Sequence, residues 1–151
     1  IMAKYANGKF TIKNLEKYVG KGTPTYRSSW EFAFMNFCDN NPAVLNWSSE
    51  SVKIPYFNPV LGKQTIYVPD FLINYATRTS QLRAELIEIK PLAQTTITER
   101  MKDRERAVVA INHAKWQAAT AFCKQYGLFF RVLTEQDIFH QGNKTSQNRR
   151  R

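Results

Sequence analysis

One stretch of the chain reads Ala84-Glu85-Leu86-Ile87-Glu88-Ile89-Lys90-Pro91. Its aliphatic and β-branched residues predict a β-strand, which Pro91 ends because proline cannot donate to a strand ladder. Successive side chains of a strand point to opposite faces, so Glu88 and Lys90 share one face while Ile87 and Ile89 point into the core. The stretch therefore predicts a sheet strand that carries a carboxylate and an amine about 7 Å apart on one face.

Three further segments rich in β-branched and aromatic residues precede this strand, with turn signals between them. They are residues 44–47, 52–56 and 65–74. We expect these segments and the strand over 84–90 to form an antiparallel meander. Pro69 lies inside the third segment, which predicts an edge position or a bulge there.

Helical patterns flank the strands. Ser28 and Glu31 form a capping box at the start of a predicted helix of about 12 residues. Residues 98–126 predict a long second helix that ends near Gly127, followed by a short strand over 129–133 and a helical turn over 135–139. The order α-β-β-β-α-β predicts an α/β domain with a central mixed sheet flanked by helices, because each element buries only one face.

Charge points to a polyanionic partner. The chain of 151 residues has 22 Lys and Arg against 12 Asp and Glu, a formal charge of +10 and a pI near 9.8. Phosphates attract such a surface and release counterions when it binds, so nucleic acid is the expected partner. A merely soluble basic protein is the alternative, and charge does not separate a nuclease from a packaging or scaffold protein.

Other features of the composition narrow the class further. No apolar run approaches the roughly 20 residues that span a bilayer, so we expect a soluble intracellular protein with no membrane partner. Cys38 and Cys123 lie inside predicted helices among apolar residues, which favours buried reduced thiols over a disulfide or a zinc site. We expect a basic N-terminal arm over 2–26, a single core domain over 27–140 and a basic flexible tail over 141–151.

Asp70 adds a second carboxylate. It follows Pro69, and hairpin pairing with the strand over 84–90 would bring it beside Glu88. Two neighbouring carboxylates on rigid strands repel each other unless a proton or a cation lies between them. Mg²⁺ suits such a pair, because it keeps several waters and takes phosphate oxygens as ligands. Lys90 could then orient or deprotonate the attacking water, or neutralise charge on the phosphate; a solvated surface salt bridge with Glu88 is the alternative.

The phrases Val68-Pro69-Asp70 and Glu88-Ile89-Lys90, in this element order, resemble the PD-(D/E)xK motif of restriction enzymes and related nucleases. The resemblance implies that Asp70 and Glu88 bind the metal and that Lys90 serves the nucleophilic water. Many members also use a glutamate of the first core helix, which here is Glu31. From the residues alone, Glu31 could simply complete its capping box.

Longer phrases resemble the head-completion nucleases of large contractile-tailed phages and, more distantly, the transposase subunit that cleaves transposon 5′ ends. They are Tyr26-Arg27-Ser28-Ser29-Trp30-Glu31, Phe37-Cys38-Asp39-Asn40-Asn41-Pro42, Ala114-Lys115-Trp116, Ala121-Phe122-Cys123 and Leu133-Thr134-Glu135. The resemblance covers residues 3–140. It implies a nuclease that acts on packaged DNA before a filled head joins its tail, with head, portal or neck proteins as partners, in the host cytoplasm or the virion.

The sequence therefore predicts a metal-dependent DNA endonuclease of the PD-(D/E)xK class. Its predicted catalytic residues are Glu31, Asp70, Glu88 and Lys90, and the three acidic residues among them are the predicted ligands of Mg²⁺, for which Mn²⁺ could substitute. Secondary DNA contacts are predicted at Arg27, Lys115, Arg149, Arg150 and Arg151, although Lys115 could be an ordinary solvated lysine. Trp116 is expected to pack in the core, and His113 and His140 are expected to be non-catalytic.

Two alternatives to this function stay open at the level of sequence. One is a non-catalytic DNA-binding structural protein of the capsid vertex, which the charge supports equally well. The other is a homing or restriction-type nuclease with sequence specificity, although a chain this short leaves little room for a recognition domain. The oligomeric state is left open.

Overall fold

The structure is a computed structural model that describes residues 7–138. The predicted contacts at Arg149, Arg150 and Arg151, together with His140, lie outside the described residues. The elements in chain order are β1 (Gly8–Lys9), a 3₁₀ turn (Leu15–Lys17), β2 (Thr25–Tyr26), α1 (Ser29–Asn40), β3 (Val44–Ser49), β4 (Ile54–Asn58), β5 (Lys63–Tyr67), β6 (Phe71–Ala76), β7 (Leu82–Ile89), a 3₁₀ turn (Leu92–Gln94), α2 (Asp103–Tyr126) and β8 (Phe129–Leu133).

Four of the strands form a central mixed sheet in the order β3-β6-β7-β8. The pairs β3·β6 and β6·β7 are antiparallel, whereas β7·β8 is parallel. A parallel pair needs a crossover connection, and α2 supplies it. The predicted central mixed sheet flanked by helices is therefore confirmed.

The prediction of one strand over 65–74 is wrong. The chain leaves regular strand structure at residues 68–70, so that β5 ends at Tyr67 and β6 begins at Phe71. Pro69 is buried at this break, where it has no N–H to donate to a ladder. The predicted meander is wrong for the same reason, because β4 and β5 pair only with each other, in a hairpin outside the central sheet.

The helix boundaries agree better with the sequence. The side chain of Ser28 accepts a hydrogen bond from the Glu31 N–H at 3.1 Å, which caps the 12-residue α1 as predicted. The second helix begins at Asp103 instead of residue 98, since residues 99–100 form a turn and the Glu105 carboxylate accepts a hydrogen bond from the Lys102 N–H, which caps the helix there. It ends at Gly127, whose φ of 70° is the left-handed conformation that glycine adopts without strain.

Apolar side chains fill two layers, one on each face of the sheet. The layer under α1 contains Phe34, Met35, Cys38, Trp47, Phe71, Ile73, Ile87 and Ile89. The layer under α2 and the β4–β5 hairpin contains Ile54, Tyr56, Tyr67, Leu86, Ala119 and Cys123, with Trp116 packed against it. Alternate residues of β7 thus enter opposite layers, as predicted, and Glu88 shares the face of Leu86 under α2.

The N-terminal segment lies on the domain. Phe10 is 3% exposed and packs edge-to-face on Trp47 and Phe32, with ring centroids 6.0 Å and 5.7 Å away. Asp39 at the far end of α1 accepts backbone hydrogen bonds from Lys13 and Asn14 at 2.8 Å and 3.0 Å. These contacts fix residues 10–14 against the layer under α1.

None of the helices within residues 7–138 combines the length and the apolar character needed to cross a bilayer.

Truncating Phe10 tests the attachment of this segment. Phe10→Ala is expected to lower the free energy of unfolding by about 3–5 kcal/mol, because it leaves a cavity between Trp47 and Phe32. Leu15→Ala is the control, since Leu15 is 73% exposed and its loss should cost less than about 0.5 kcal/mol. Urea unfolding of both variants measures the difference, and equal effects would contradict the packing.

Candidate active site

The site lies where β6 begins and β7 ends. The antiparallel register pairs Phe71 with Ile87, so the next pair toward this end of the sheet is Asp70 and Glu88. The Ile89 N–H donates a hydrogen bond of 2.7 Å to Oδ2 of Asp70, and the Glu50 N–H donates one of 2.9 Å to its carbonyl oxygen. Both the backbone and the side chain of Asp70 are therefore fixed, and hairpin pairing brings the two carboxylates together as predicted.

Burial makes this pair of carboxylates costly to ionise. Glu88 is only 4% exposed. Burial and the neighbouring Glu88 carboxylate hold the pKa of Asp70 well above its ordinary value, although the Ile89 N–H and Lys90 act in the opposite direction. Two adjacent carboxylates with little access to water favour a bound proton or a bound cation.

Lys90 lies directly beyond the end of β7. Its backbone N–H donates a 2.9 Å hydrogen bond to the carbonyl oxygen of Leu133, which ties it to the parallel strand β8. Its Nζ is 4.0 Å from Oε2 of Glu88, and the side chain is half-buried. The structure thus holds an amine at the edge of the carboxylate pair, on the face that strand alternation predicts.

Glu31 enters the site from the first turn of α1. Burial raises the pKa of its carboxyl to about 7, with repulsion from Asp70 as the next contribution and attraction to Arg27 opposing both. Its backbone N–H meanwhile completes the cap with Ser28. The Glu31 backbone thus takes part in the cap that Ser28 forms, while the repulsion between the two carboxylates places the Glu31 side chain near Asp70.

The donor set is compatible with a divalent ion that keeps much of its hydration. Within residues 7–138, no three acidic, histidine or cysteine side chains lie close enough together to enclose a metal ion. The close pair is Asp70 and Glu88, and Mg²⁺ accepts one or two carboxylates with water and phosphate oxygens in the other positions. Metal binding by these residues, and by Glu31 as a third ligand, stays a prediction.

Lys115 faces the site from the middle of α2. It is half-buried, and its Nζ lies 5.6 Å from the ring centroid of Tyr67 and 6.0 Å from that of Tyr56. Burial lowers the pKa of this amine, and the charge of Lys90 lowers it further, whereas Glu88 and Asp70 raise it. The structure therefore places a second amine beside the carboxylates, and its contact with DNA stays a prediction.

Sequence reasoning missed Tyr67. Its ring is buried at the end of β5, and burial together with the Glu88 carboxylate raises the pKa of its hydroxyl. Among the described residues, neither this hydroxyl nor Nε1 of Trp116 has a hydrogen-bond partner of good geometry. The protein groups nearest to the Tyr67 hydroxyl are the Glu88 carboxylate and the Trp116 indole, both of which affect its pKa. A single predicted strand over 65–74 concealed this position, because the register across residues 68–70 could not be read.

Glu50 was also missed. Its carboxylate forms an ion pair with Arg27, which raises the pKa of the Arg27 guanidinium. Its backbone has a φ of 51°, a left-handed conformation that is uncommon for a residue other than glycine. No sequence motif marks this position, because the link between β3 and β4 has no regular pattern.

Removing the Glu31 carboxylate should change how stability depends on pH. A carboxyl whose pKa rises from 4.5 to about 7 on folding destabilises the native state as pH rises through this window. At about 1.4 kcal/mol for each tenfold change in proton affinity, the upper limit of this loss is about 3 kcal/mol, and the water around the partly exposed side chain reduces it. Glu31→Gln should therefore be more stable than the parent chain at pH 8. At pH 4.5 this gain in stability should be small.

Urea unfolding at both pH values, in EDTA, measures this difference. Glu16→Gln, on the exposed 3₁₀ turn, is the control for loss of a negative charge. Parallel pH profiles for Glu31→Gln and the parent chain would show that Glu31 does not feel the burial and repulsion described here.

Comparison with known proteins agrees with this geometry. A family model described as TnsA-like endonuclease N terminal matches residues 41–135, which hold Asp70, Glu88 and Lys90. The head completion nuclease of Enterobacteria phage T4 is 35% identical over 151 aligned residues, covering 91% of this chain and 97% of the phage protein. The predicted resemblance to head-completion nucleases and to the transposase subunit is confirmed. The chain belongs to the TnsA-like endonuclease family and is a nuclease.

Proposed function

We propose that the protein is a Mg²⁺-dependent DNA endonuclease, with Mn²⁺ as a possible substitute, which hydrolyses phosphodiester bonds at the Asp70–Glu88 pair. The observation that carries this proposal is the pairing of the buried Glu88 and the partly buried Asp70 with two amines, Lys90 and Lys115, at one end of the sheet. The formal charge of +10 supports a polyanionic substrate.

The name of the phage T4 relative suggests the biological role. We propose that this chain likewise completes phage heads, by trimming packaged or protruding DNA before the head joins the tail. Its partners would be head, portal or neck proteins, and it would act in the host cytoplasm during assembly or remain with the virion. This role depends on the relative and not on the site geometry.

Asp70 and Glu88 are the residues that would hold the ion, with Glu31 beside Asp70 as a third carboxylate. When bound, the ion supplies positive charge to the phosphate oxygens and acidifies water. Neighbouring groups of the chain hold the two carboxylates in the orientation that the ion would need. The Ile89 N–H fixes one oxygen of Asp70, and burial under α2 fixes Glu88, so that the carboxylates are oriented before the substrate binds.

The amines act on the phosphodiester itself. Lys90, 4.0 Å from Glu88, donates hydrogen bonds to the phosphate oxygens and offsets the negative charge that grows on them during attack. Lys115, held above the rings of Tyr56 and Tyr67, provides a second positive charge on the α2 side. Arg27, on the other side of Asp70, is placed to bind a flanking phosphate.

Asp70→Asn tests the carboxylate pair. Asparagine can still accept the Ile89 hydrogen bond but lacks the charge, so cleavage of plasmid DNA in Mg²⁺ should fall by a factor of at least about 10³. In the parent chain, saturating Mn²⁺ or Mg²⁺ should raise the melting temperature by about 5–10 °C, because an ion that binds only the native state stabilises it. This increase should be absent in Asp70→Asn.

Glu16→Gln is the matched control for both measurements, since it removes a carboxylate from an exposed turn. Retention of full cleavage by Asp70→Asn would refute the assigned site. The alternative function is a non-catalytic DNA-binding protein. Filter binding of the parent chain to DNA, run beside the cleavage assay in several divalent metals, tests it. DNA binding without cutting in any of them would favour a structural protein of the capsid vertex.

Lys90 variants separate charge stabilisation from proton transfer. If Lys90 offsets charge, Lys90→Met should lower the rate by about 10²–10³, whereas Lys90→Arg should retain a substantial part of it. Arginine stays protonated at all working pH values, so equal loss in both variants would instead indicate that the Lys90 amine accepts a proton. Single-turnover cleavage of a labelled duplex is the measurement.

A further inference from the structure

A cleft of about 550 Å³ lies next to the site, between residues 18–27 and residues 49–53. Three of its lining side chains are basic, namely Lys21, Arg27 and Lys53, and Glu50 is its one acidic lining residue. Hydroxyl groups of threonine and serine line much of the rest. A concave surface of this composition suits an anion.

The cleft adjoins the candidate active site through Glu50 and Arg27. The Glu50 N–H that binds the carbonyl oxygen of Asp70 belongs to the wall formed by residues 49–53. Arg27, on the opposite wall, is close enough to Glu31 and Asp70 for their charges to act on its guanidinium. An anion that binds Arg27 in the cleft would therefore lie on the side of the site formed by Glu31 and Asp70.

The Arg27–Glu50 ion pair spans the two walls. The Arg27 and Glu50 side chains are 61% and 40% exposed, so water screens their attraction. A phosphate offers the guanidinium the same two-oxygen geometry as a carboxylate. It also carries a negative charge with which Arg27 can form charge-assisted hydrogen bonds. Replacement of Glu50 by a phosphate is therefore a favourable exchange for Arg27.

We propose that this cleft binds the phosphate backbone of the DNA strand that enters the active site. Lys21 and Lys53 contact successive phosphates, and Arg27 exchanges Glu50 for the phosphate nearest the carboxylates. The inference rests on the proposed DNA nuclease function, but its test measures binding and not cleavage.

The binding test uses the Asp70→Asn chain, so that DNA stays intact. Fluorescence anisotropy with labelled single-stranded and duplex oligonucleotides gives the Kd over a range of salt concentrations. Adding Lys21→Ala and Lys53→Ala should weaken binding about tenfold to fiftyfold near 0.1 M salt and reduce the slope of log K against log salt by about 1.4–1.8, as expected for two lost phosphate contacts. The probe with the larger loss identifies the form of DNA that the cleft takes.

Lys13→Ala with Arg78→Ala is the matched control. Lys13 lies at the C-terminal end of α1, where its backbone N–H donates a hydrogen bond to Asp39. Arg78 lies in the turn between β6 and β7, at the opposite end of the sheet from Asp70. This pair should change the affinity much less than the cleft pair. Equal effects of the two pairs, with either probe, would overturn the proposal. If the parent chain did not cleave DNA, the nuclease function would be refuted, but the measured effect of the Lys21 and Lys53 substitutions on DNA binding would still stand.

A double-mutant cycle tests the exchange at Arg27. Glu50→Gln should tighten binding several-fold, because Arg27 no longer has to leave a carboxylate. In an Arg27→Met background, the same Glu50 substitution should have less than half of this effect on log K. An equal gain in both backgrounds would show only a change in total charge and would overturn the exchange.

Discussion

The pairing of β6 with β7 brings Asp70 against Glu88, and every other feature of the site depends on it. Two adjacent carboxylates that are largely withdrawn from water repel each other, so neighbouring structure must hold them in place. Leu86 and Ile87, in successive positions of β7, anchor this strand in the apolar layers on both faces of the sheet. The apolar core thus stabilises a local arrangement of charge that is unfavourable by itself, as is common at functional sites.

The charges around this pair come from separate parts of the chain. Lys90 extends from the end of β7, Lys115 from the middle of α2, and Glu31 from the start of α1. Each is held by an element whose position is set by packing on the sheet, so the spacing of the charges follows from the two apolar layers. Deletion of one charge should therefore alter the electrostatics of the site more than its shape.

The sequence predicted the parts of this site that depend on local periodicity. Strand alternation placed Glu88 and Lys90 on one face, and the cap at Ser28 placed Glu31 in the first turn of α1. The sequence-based prediction failed where the chain passes from one sheet to another. Tyr67 and Phe71 belong to different sheets although only three residues separate them. Tyr67 and Glu50 owe their positions to long-range contacts, and no periodic pattern encodes such contacts.

The change of sheets also explains why the active site and the basic cleft adjoin. The β4–β5 hairpin is inserted between β3 and β6, which are neighbours in the central sheet, so its two connections must leave and re-enter that sheet at the same end. The hydrogen bond from the Glu50 N–H to the Asp70 carbonyl oxygen joins these two connections. One connection supplies Asp70 to the carboxylate pair, and the other supplies Glu50 and Lys53 to the cleft. A shift of the hairpin would therefore move the Asp70 carboxylate and this wall of the cleft together. In the proposed function, a DNA strand in the cleft would thus be positioned by the same two connections that position Asp70.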